Sequence, residues 1–238
     1  MAALPSQKVG KLHLVLFCWV STRNARSTLC TQVNKEAPLL PLIYTNIDAA
    51  GVFLAACIVW NVPEMIGMVR QMAKASRKTA AVQDRGSLGI LIGLQWLGLA
   101  LNFLFAWLFP SAAIFWQRTA LFLLGNISIL LGVALRWYAI WTLGRYFTRD
   151  VAVSEDQQVI QRGPYRAIRH PAYSGTLLTM LGVGLALTNW ASLIALLICV
   201  FLGHLYRVRV EEKALSQTIG QPYIEYMRRT KRFIPLVF

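Results

Sequence analysis

Long apolar runs with few charges are the feature that most constrains how this 238-residue chain can fold. A helix needs roughly 20 apolar residues to cross the hydrocarbon core of a bilayer. In lipid the backbone groups must pair within their own segment, which favours helix throughout. The runs cover residues 43–63, 88–109, 119–135, 173–187 and 190–206. They predict an all-α, polytopic membrane helical bundle of about five transmembrane helices, with short cytoplasmic helices at the C-terminus.

Composition supports a membrane protein and argues against a nucleic-acid partner. Only 14% of the residues are charged, against about 25% in soluble domains, and the mean hydropathy is +0.51. In a soluble protein the net charge of +14 would suggest nucleic acid. In a membrane protein, Lys and Arg collect in cytoplasmic loops and against anionic lipids. We therefore expect no nucleic acid, and expect the basic cluster at 228–232 to bind anionic lipid.

The distribution of basic residues predicts the orientation of the chain in the membrane. Segments 64–87 and 143–172 each carry five Lys or Arg residues, and the tail 207–238 carries seven. The opposite side carries only Arg118. The positive-inside rule therefore places both loops and the C-terminus in the cytoplasm. A bacterial inner membrane and the endoplasmic reticulum fit this pattern equally.

The chain divides into a short first segment and one larger domain. Residues 1–42 contain an apolar stretch of only nine residues, too short to span a bilayer. We interpret 1–42 as an N-terminal extension of unclear role and 43–238 as a single transmembrane domain. After the fifth run we predict a helix over 211–219, a break at 220–222, and a second short helix over 223–230.

The cysteine pattern predicts neither a metal site nor a disulfide framework. The chain has four cysteines, at positions 18, 30, 57 and 199, and none forms a CxxC pair. Two of them, Cys57 and Cys199, lie inside apolar runs. We expect these residues to serve as small apolar filler and expect no metal.

The most informative string is RGPYRAIRHPAYSG, at residues 162–175. Pro171 suits the first turn of the fourth helix, which places His170 at or near the start of that helix. The N–H groups of a helix start, together with Arg166, Arg169 and the imidazole, form a group of donors. Such a place suits a carboxylate or a phosphate.

A second string, HLYRVRVEEKAL, follows the fifth run. If the fifth helix continues through it, one face carries His204, either Arg207 or Val208, and Glu211 by their three-and-four spacing. Glu212 lies one step round the helix. Because only two residues join the fourth and fifth runs, these form a hairpin that brings His170 close to the glutamates. A site with an anion-binding and a cation-binding end suits a zwitterion, such as an amino acid head group.

Three motifs together resemble a known family. They are G-P-Y-x-x-x-R-H-P-x-Y-x-G at 163–175, E-E-x-x-L at 211–215 and G-x-x-Y-x-x-Y at 220–226. The pattern is similar to that of the isoprenylcysteine carboxyl methyltransferase family and covers about residues 126–235. Membrane-embedded phospholipid methyltransferases share much of it, and sterol reductases share it more distantly.

The resemblance implies a cofactor and roles for individual residues. It implies S-adenosylmethionine bound in a cytoplasmic pocket within residues 144–232, with no metal. Glu211 or Glu212 would hold the ammonium group of the cofactor, and Arg169 or Arg207 its carboxylate. The other implied cofactor contacts are Tyr165, His170 and Tyr173. The implied catalytic residues are His170, Arg169 and Glu212.

The acceptor implied by the resemblance is a prenylcysteine-like carboxylate that enters from the bilayer between helices. A carboxylate is already ionised near neutral pH and needs no general base. An amine acceptor would need one, and His170 or a glutamate would have to serve. Other acceptors, such as a phospholipid or a small apolar molecule, remain alternatives. So do an NADPH-dependent lipid or sterol reductase and a non-enzymatic membrane protein.

Several charged or aromatic residues near the runs have plain structural interpretations. We predict that Arg136 is a snorkelling anchor at the membrane surface, and that Glu64 is an interfacial charge. We predict that Tyr223 and Tyr226 are packing residues. For His204, a functional role and a structural role are equally supported.

Overall fold

The computed structural model describes residues 40–75, 86–149 and 157–233. Almost all of the predicted N-terminal extension, 1–42, lies outside these residues. The helices are α1 (Ile47–Ala75), α2 (Ser87–Leu108), α3 (Arg118–Leu143), α4 (Pro171–Ala186), α5 (Trp190–Ile219) and α6 (Gln221–Arg229). Single helical turns lie at Leu42–Thr45, Pro110–Ala112, Gly144–Tyr146 and Gly163–Arg166. Within the described residues there are two isolated β-bridges and no named strand.

Four of the described helices are long and apolar enough to cross a membrane. The spans are Ile47–Val69, Ser87–Leu108, Arg118–Tyr146 and Trp190–Ile219. The helix α4 has 16 residues, a length of about 24 Å at 1.5 Å per residue, and is the shorter arm of a hairpin with α5. The prediction of an all-α, integral membrane bundle is confirmed.

Two helices continue beyond the ends of the apolar runs from which they were predicted. The first run was predicted to end at Pro63, but α1 continues through this proline to Ala75. Membrane helices tolerate proline because neighbouring groups satisfy the freed backbone carbonyl. The third run was predicted to end at Leu135, but α3 continues through Arg136 to Leu143. Neither the proline nor the charge ends its helix here.

Small residues bring α3 and α4 into close contact. An added Cβ at Gly125 on α3 would lie 2.7 Å from the carbonyl oxygen of Gly182 on α4. One at Gly175 on α4 would lie 2.7 Å from the carbonyl oxygen of Gly132 on α3. Small residues let helix backbones approach closely where lipid supplies no hydrophobic driving force. This contact places the C-terminal half of α3 against the start of α4.

The α4–α5 hairpin turns at Asn189, which caps α5. Its side chain accepts a hydrogen bond from the Ser192 N–H (3.1 Å) and donates one to the Phe109 carbonyl (2.8 Å). The helix α5 then runs unbroken to Ile219, and Gly220, with φ +74°, turns the chain into α6. The predicted break and short final helix are confirmed, although the break is Gly220 alone and α6 begins at Gln221. The start of α4, the end of α5 and α6 therefore meet at one end of the bundle.

Candidate active site

The segment before α4 is held in place by the C-terminal part of the chain. The backbone N–H of Arg169 donates to the Lys231 carbonyl (2.7 Å), and that of His170 donates to the Arg232 carbonyl (3.1 Å). The Tyr226 hydroxyl donates to the carbonyl of Tyr165 (2.7 Å). Burial raises the pKa of Tyr226 to about 12, so this phenol remains protonated and able to donate. These bonds fix the position of His170 at the cap of α4.

Glu212 faces the C-terminal segment and lies between two guanidinium groups. Its Oε1 is 2.9 Å from Arg169 Nε and 3.4 Å from His170 Nε2. Its Oε2 is 2.9 Å from Arg232 Nη2. The Glu212 side chain is only 9% exposed. Its charge is therefore balanced by groups of the protein itself.

Glu211 faces the cavity described below and is more accessible. Its Oε2 accepts a hydrogen bond from the Tyr173 hydroxyl (2.7 Å) and lies 4.0 Å from His170 Nδ1. Its side chain is 29% exposed, about three times as much as that of Glu212. The two adjacent glutamates thus have different surroundings, and Glu211 has the freer carboxylate.

A polar cavity lies between the start of α4, the end of α5 and α6. It holds about 870 Å³ of empty space, open solvent at its mouth included. Of the predicted site residues, those lining it are Tyr165, Arg169, His170, Tyr173, Arg207 and Glu211. Tyr223 and Tyr226 are buried, as predicted for packing residues, and they also line this cavity. Glu212 is not among the lining residues.

Aromatic rings continue from this cavity towards the bundle. The rings of His170 and Tyr173 are stacked, with centroids 5.6 Å apart. The ring of His204 meets Tyr173 edge-on at 5.3 Å. His204 is buried, and its Nδ1 lies 2.8 Å from the Val200 carbonyl oxygen of the same helix. His204 therefore lies next to the predicted site but outside the polar cavity.

Arg207 connects three parts of the structure. Its Nη1 donates to the Ser87 hydroxyl of α2 (2.7 Å), and its Nε donates to the Tyr173 hydroxyl (3.4 Å). Its Nη2 donates to the carbonyl of Arg149, in the segment after α3. Only 2% of Arg207 is exposed. These three hydrogen bonds fix the guanidinium of Arg207 at the wall of the polar cavity.

A second cavity, the membrane cavity, is lined by residues of α1 to α5 and of the segment after α3. It holds about 1,580 Å³ of empty space, open solvent included. Its apolar lining includes Phe53, Trp60, Leu91, Trp96, Leu99 and Phe103. Its charged lining residues are Glu64, Arg136, Arg149 and Arg207. Four residues, Phe147, Thr148, Tyr173 and Arg207, line both cavities. The two cavities therefore share a wall.

Arg136 was predicted to be a snorkelling anchor and Glu64 an interfacial charge, but the two side chains face inward and pair with each other. Arg136 Nε lies 2.5 Å from Glu64 Oε1, and the two side chains are 14% and 19% exposed. Arg149 Nη2 lies 3.0 Å from Glu64 Oε2. A charged residue that directly follows a long apolar run can face inward and pair with another. That signal marks Arg136 as a candidate for an inward-facing charge, but it does not identify Glu64 as the partner.

The fold and the two cavities define a polytopic helical membrane protein with a charged, aromatic site beside an apolar one. A family model described as "Isoprenylcysteine carboxyl methyltransferase (ICMT) family" matches residues 122–217. Protein-S-isoprenylcysteine O-methyltransferase B of Arabidopsis thaliana is 36% identical over 115 residues, 48% of this chain and 58% of that protein. A probable protein-S-isoprenylcysteine O-methyltransferase of Oryza sativa subsp. indica is 32% identical over 134 residues, 56% of this chain and 69% of the relative. The chain belongs to the isoprenylcysteine carboxyl methyltransferase family.

The fold agrees with a solved structure of the same class. The structure of the eukaryotic intramembrane Ras methyltransferase ICMT superposes with a TM-score of 0.54 and 20% sequence identity. The superposition covers 96% of this chain and 84% of that one. At this identity the likeness concerns the fold alone. The sequence match to the Arabidopsis relative spans 58% of that protein, so its activity is not carried over by the comparison itself.

Proposed function

We propose that this chain transfers a methyl group from S-adenosylmethionine to the carboxylate of a prenylcysteine-like acceptor. The proposal depends on the wall that the two cavities share. Tyr173 and Arg207 belong to this wall, because they line both cavities. A water-soluble cofactor in one cavity and a lipid-bearing acceptor in the other would meet at this wall. Family membership and the names of the relatives support the same reaction.

The residues of the polar cavity fit S-adenosylmethionine. Glu211 offers a carboxylate for the ammonium group, and Arg169 or Arg207 offers a guanidinium for the carboxylate. Aromatic faces attract a sulfonium cation, and the cavity presents Tyr165 and Tyr223. Burial, with the nearby charge of Glu211, raises the pKa of both phenols, so they stay neutral at physiological pH. Arg169 and Arg232 neutralise the charge of Glu212. Glu212 would therefore hold Arg169 in place rather than bind the cofactor.

The membrane cavity suits the acceptor. Its apolar walls would bind the lipid chain, and the guanidiniums of Arg136, Arg149 and Arg207 would attract the carboxylate. The bound cofactor would supply an electrophilic methyl group, whose C–S bond breaks as the carboxylate oxygen forms the new C–O bond. No proton has to move, because the acceptor is already ionised. The protein contributes approach, orientation and exclusion of water.

The orientation and the lipid contacts are part of the same proposal. The domain at 43–238, with its cofactor site in 144–232, would lie with that site and the C-terminus in the cytoplasm. Arg228, Arg229 and Lys231 are exposed beside the site and would bind anionic lipid, each contributing about 1 kcal/mol at the surface. The acceptor would enter from the bilayer through the membrane cavity.

The test is to incubate the purified protein with methyl-labelled S-adenosylmethionine and candidate acceptors. We expect label in the methyl ester of an S-prenylcysteine, and none in its carboxamide analogue or in phospholipid. S-adenosylhomocysteine should raise the melting temperature, because a ligand of the native state stabilises it by mass action. Label in phospholipid would replace the acceptor assignment. NADPH oxidation without methyl incorporation would refute the proposal.

A further inference from the structure

We infer that Glu64 on α1 is a positioning residue, which holds Arg136 and Arg149 in place to receive the head group of the acceptor. The inference rests on the proposed function and extends it to a helix outside the matched region, residues 122–217. Glu64, Arg136 and Arg149, here called the charge triad, come from three separate parts of the chain. All three line the membrane cavity.

The geometry of the charge triad is specific. The two carboxylate oxygens of Glu64 are both used, because Arg136 Nε donates to Oε1 (2.5 Å) and Nη2 donates to Oε2 (3.2 Å). Arg149 Nη2 donates to the same Oε2 (3.0 Å) and to the Glu64 backbone carbonyl (2.9 Å). A two-pronged Arg–carboxylate contact fixes orientation as well as distance. Glu64 therefore determines where both guanidiniums lie.

The other end of Arg136 connects the charge triad to the start of α4. Its Nη1 donates to the Ala172 carbonyl (3.3 Å) and to the Thr176 hydroxyl (3.2 Å). Ala172 directly precedes Tyr173, one of the residues that line both cavities. The position of Arg136 relative to the shared wall thus depends on α4 from one side and on Glu64 from the other.

Arg149 retains capacity for a ligand. Its Nε is buried and has no hydrogen-bond partner in the structure, which is costly unless a ligand supplies an acceptor. An added Cβ at Gly67, one turn beyond Glu64, would lie 2.8 Å from Arg149 Nη2. Because Gly67 has no side chain, the guanidinium of Arg149 can pack directly against α1.

The charges of the triad select the class of head group. Two guanidiniums and one carboxylate leave a net charge of +1, and the buried Arg207 in the same cavity adds another. One further carboxylate is favoured there, whereas an ammonium group is repelled. The charge triad therefore favours a carboxylate acceptor over an amine acceptor.

The test compares four variants of the full chain: Glu64→Gln, Glu64→Asp, Arg149→Gln and Asp48→Asn. Asp48 is the matched control, since it is an exposed acid on the same helix. The measurements are the KM and kcat for an S-prenylcysteine, its dissociation constant without cofactor, and the dissociation constant of S-adenosylhomocysteine. The dissociation constants do not depend on turnover.

We expect Glu64→Gln to raise the acceptor KM and dissociation constant about tenfold or more, despite the added net positive charge, because displaced guanidiniums lose a charged hydrogen bond to the acceptor. Arg149→Gln should have an effect of the same size because it removes one of those donors. The affinity for S-adenosylhomocysteine should stay within about twofold, Glu64→Asp should recover part of the loss, and Asp48→Asn should match the wild type. Equal losses of acceptor and S-adenosylhomocysteine affinity, or an unchanged acceptor affinity in Glu64→Gln, would overturn the inference. If the wild type is inactive but its acceptor affinity still falls in Glu64→Gln, only the proposed reaction is refuted.

Discussion

Replacing Glu212 by glutamine should destabilise the protein, whereas the same change at Glu211 should weaken cofactor binding at nearly unchanged stability. The two residues are adjacent and chemically identical, so the difference comes entirely from their surroundings. Glu212 balances the charges of Arg169 and Arg232 within a buried cluster. Glu211 makes one hydrogen bond to the Tyr173 hydroxyl and otherwise faces the polar cavity.

The structure sets the size of each effect. Removing one partner of a buried ion pair costs about 3–5 kcal/mol, and the partial exposure of Arg232, at 32%, favours the lower figure. At about 2–4 °C per kcal/mol for a domain of this size, the melting temperature of Glu212→Gln should fall by roughly 6–12 °C. A hydrogen bond to a charged group contributes about 1.5–3 kcal/mol. Glu211→Gln should therefore raise the dissociation constant of S-adenosylhomocysteine about 10- to 150-fold.

The assay is thermal denaturation of each purified variant, without ligand and with S-adenosylhomocysteine, together with calorimetric titration of that ligand. Glu225→Gln, at an exposed position of α6, serves as the control and should behave as the wild type. The reasoning fails if Glu211→Gln lowers the ligand-free melting temperature more than Glu212→Gln does. It also fails if Glu211→Gln binds S-adenosylhomocysteine with wild-type affinity.

Two further predictions concern the support of the site. Gly125→Ala should destabilise the protein by about 1–3 kcal/mol, because the new methyl group overpacks the α3–α4 contact, whereas Gly89→Ala, with nothing within 4 Å, should be harmless in a melting experiment. Tyr226→Phe should cost about 0.5–1.5 kcal/mol through its lost bond to the Tyr165 carbonyl. Because the pKa of Tyr226 is raised to about 12 in the folded state, its contribution is complete below about pH 10 and disappears as the pH approaches 12. Alkaline denaturation of wild type and Tyr226→Phe should show that difference, and identical profiles would contradict it.

The sequence predicted those parts of the fold that depend on neighbouring residues. A connection of two residues between the fourth and fifth runs leaves no geometry but an antiparallel hairpin. The proximity of His170 to the glutamates follows from that hairpin and from the continuity of α5. The observed 3.4 Å between His170 Nε2 and Glu212 Oε1 confirms it.

The sequence could not predict features that depend on partners distant along the chain. The ends of α1 and α3 were misjudged because Pro63 and Arg136 normally mark a boundary. Arg136 stays inside because Glu64, 72 positions earlier, neutralises it. Periodicity alone leaves no trace of such a pairing, since each residue satisfies the rule for an interfacial charge when considered by itself.

The adjacent glutamates also explain why one motif can serve two purposes. Successive residues of a helix point about 100° apart, so Glu211 and Glu212 approach His170 from different sides and otherwise have different partners. One turn of α5 therefore offers a carboxylate to the polar cavity and another to the segment before α4. The second carboxylate draws in Arg169, whose Nη1 also donates to the carbonyls of Met227 (2.7 Å) and Thr230 (2.5 Å). The proposed cofactor site is thereby joined to α6 and the C-terminal segment, so we expect a change that loosens these contacts to weaken the binding of S-adenosylhomocysteine.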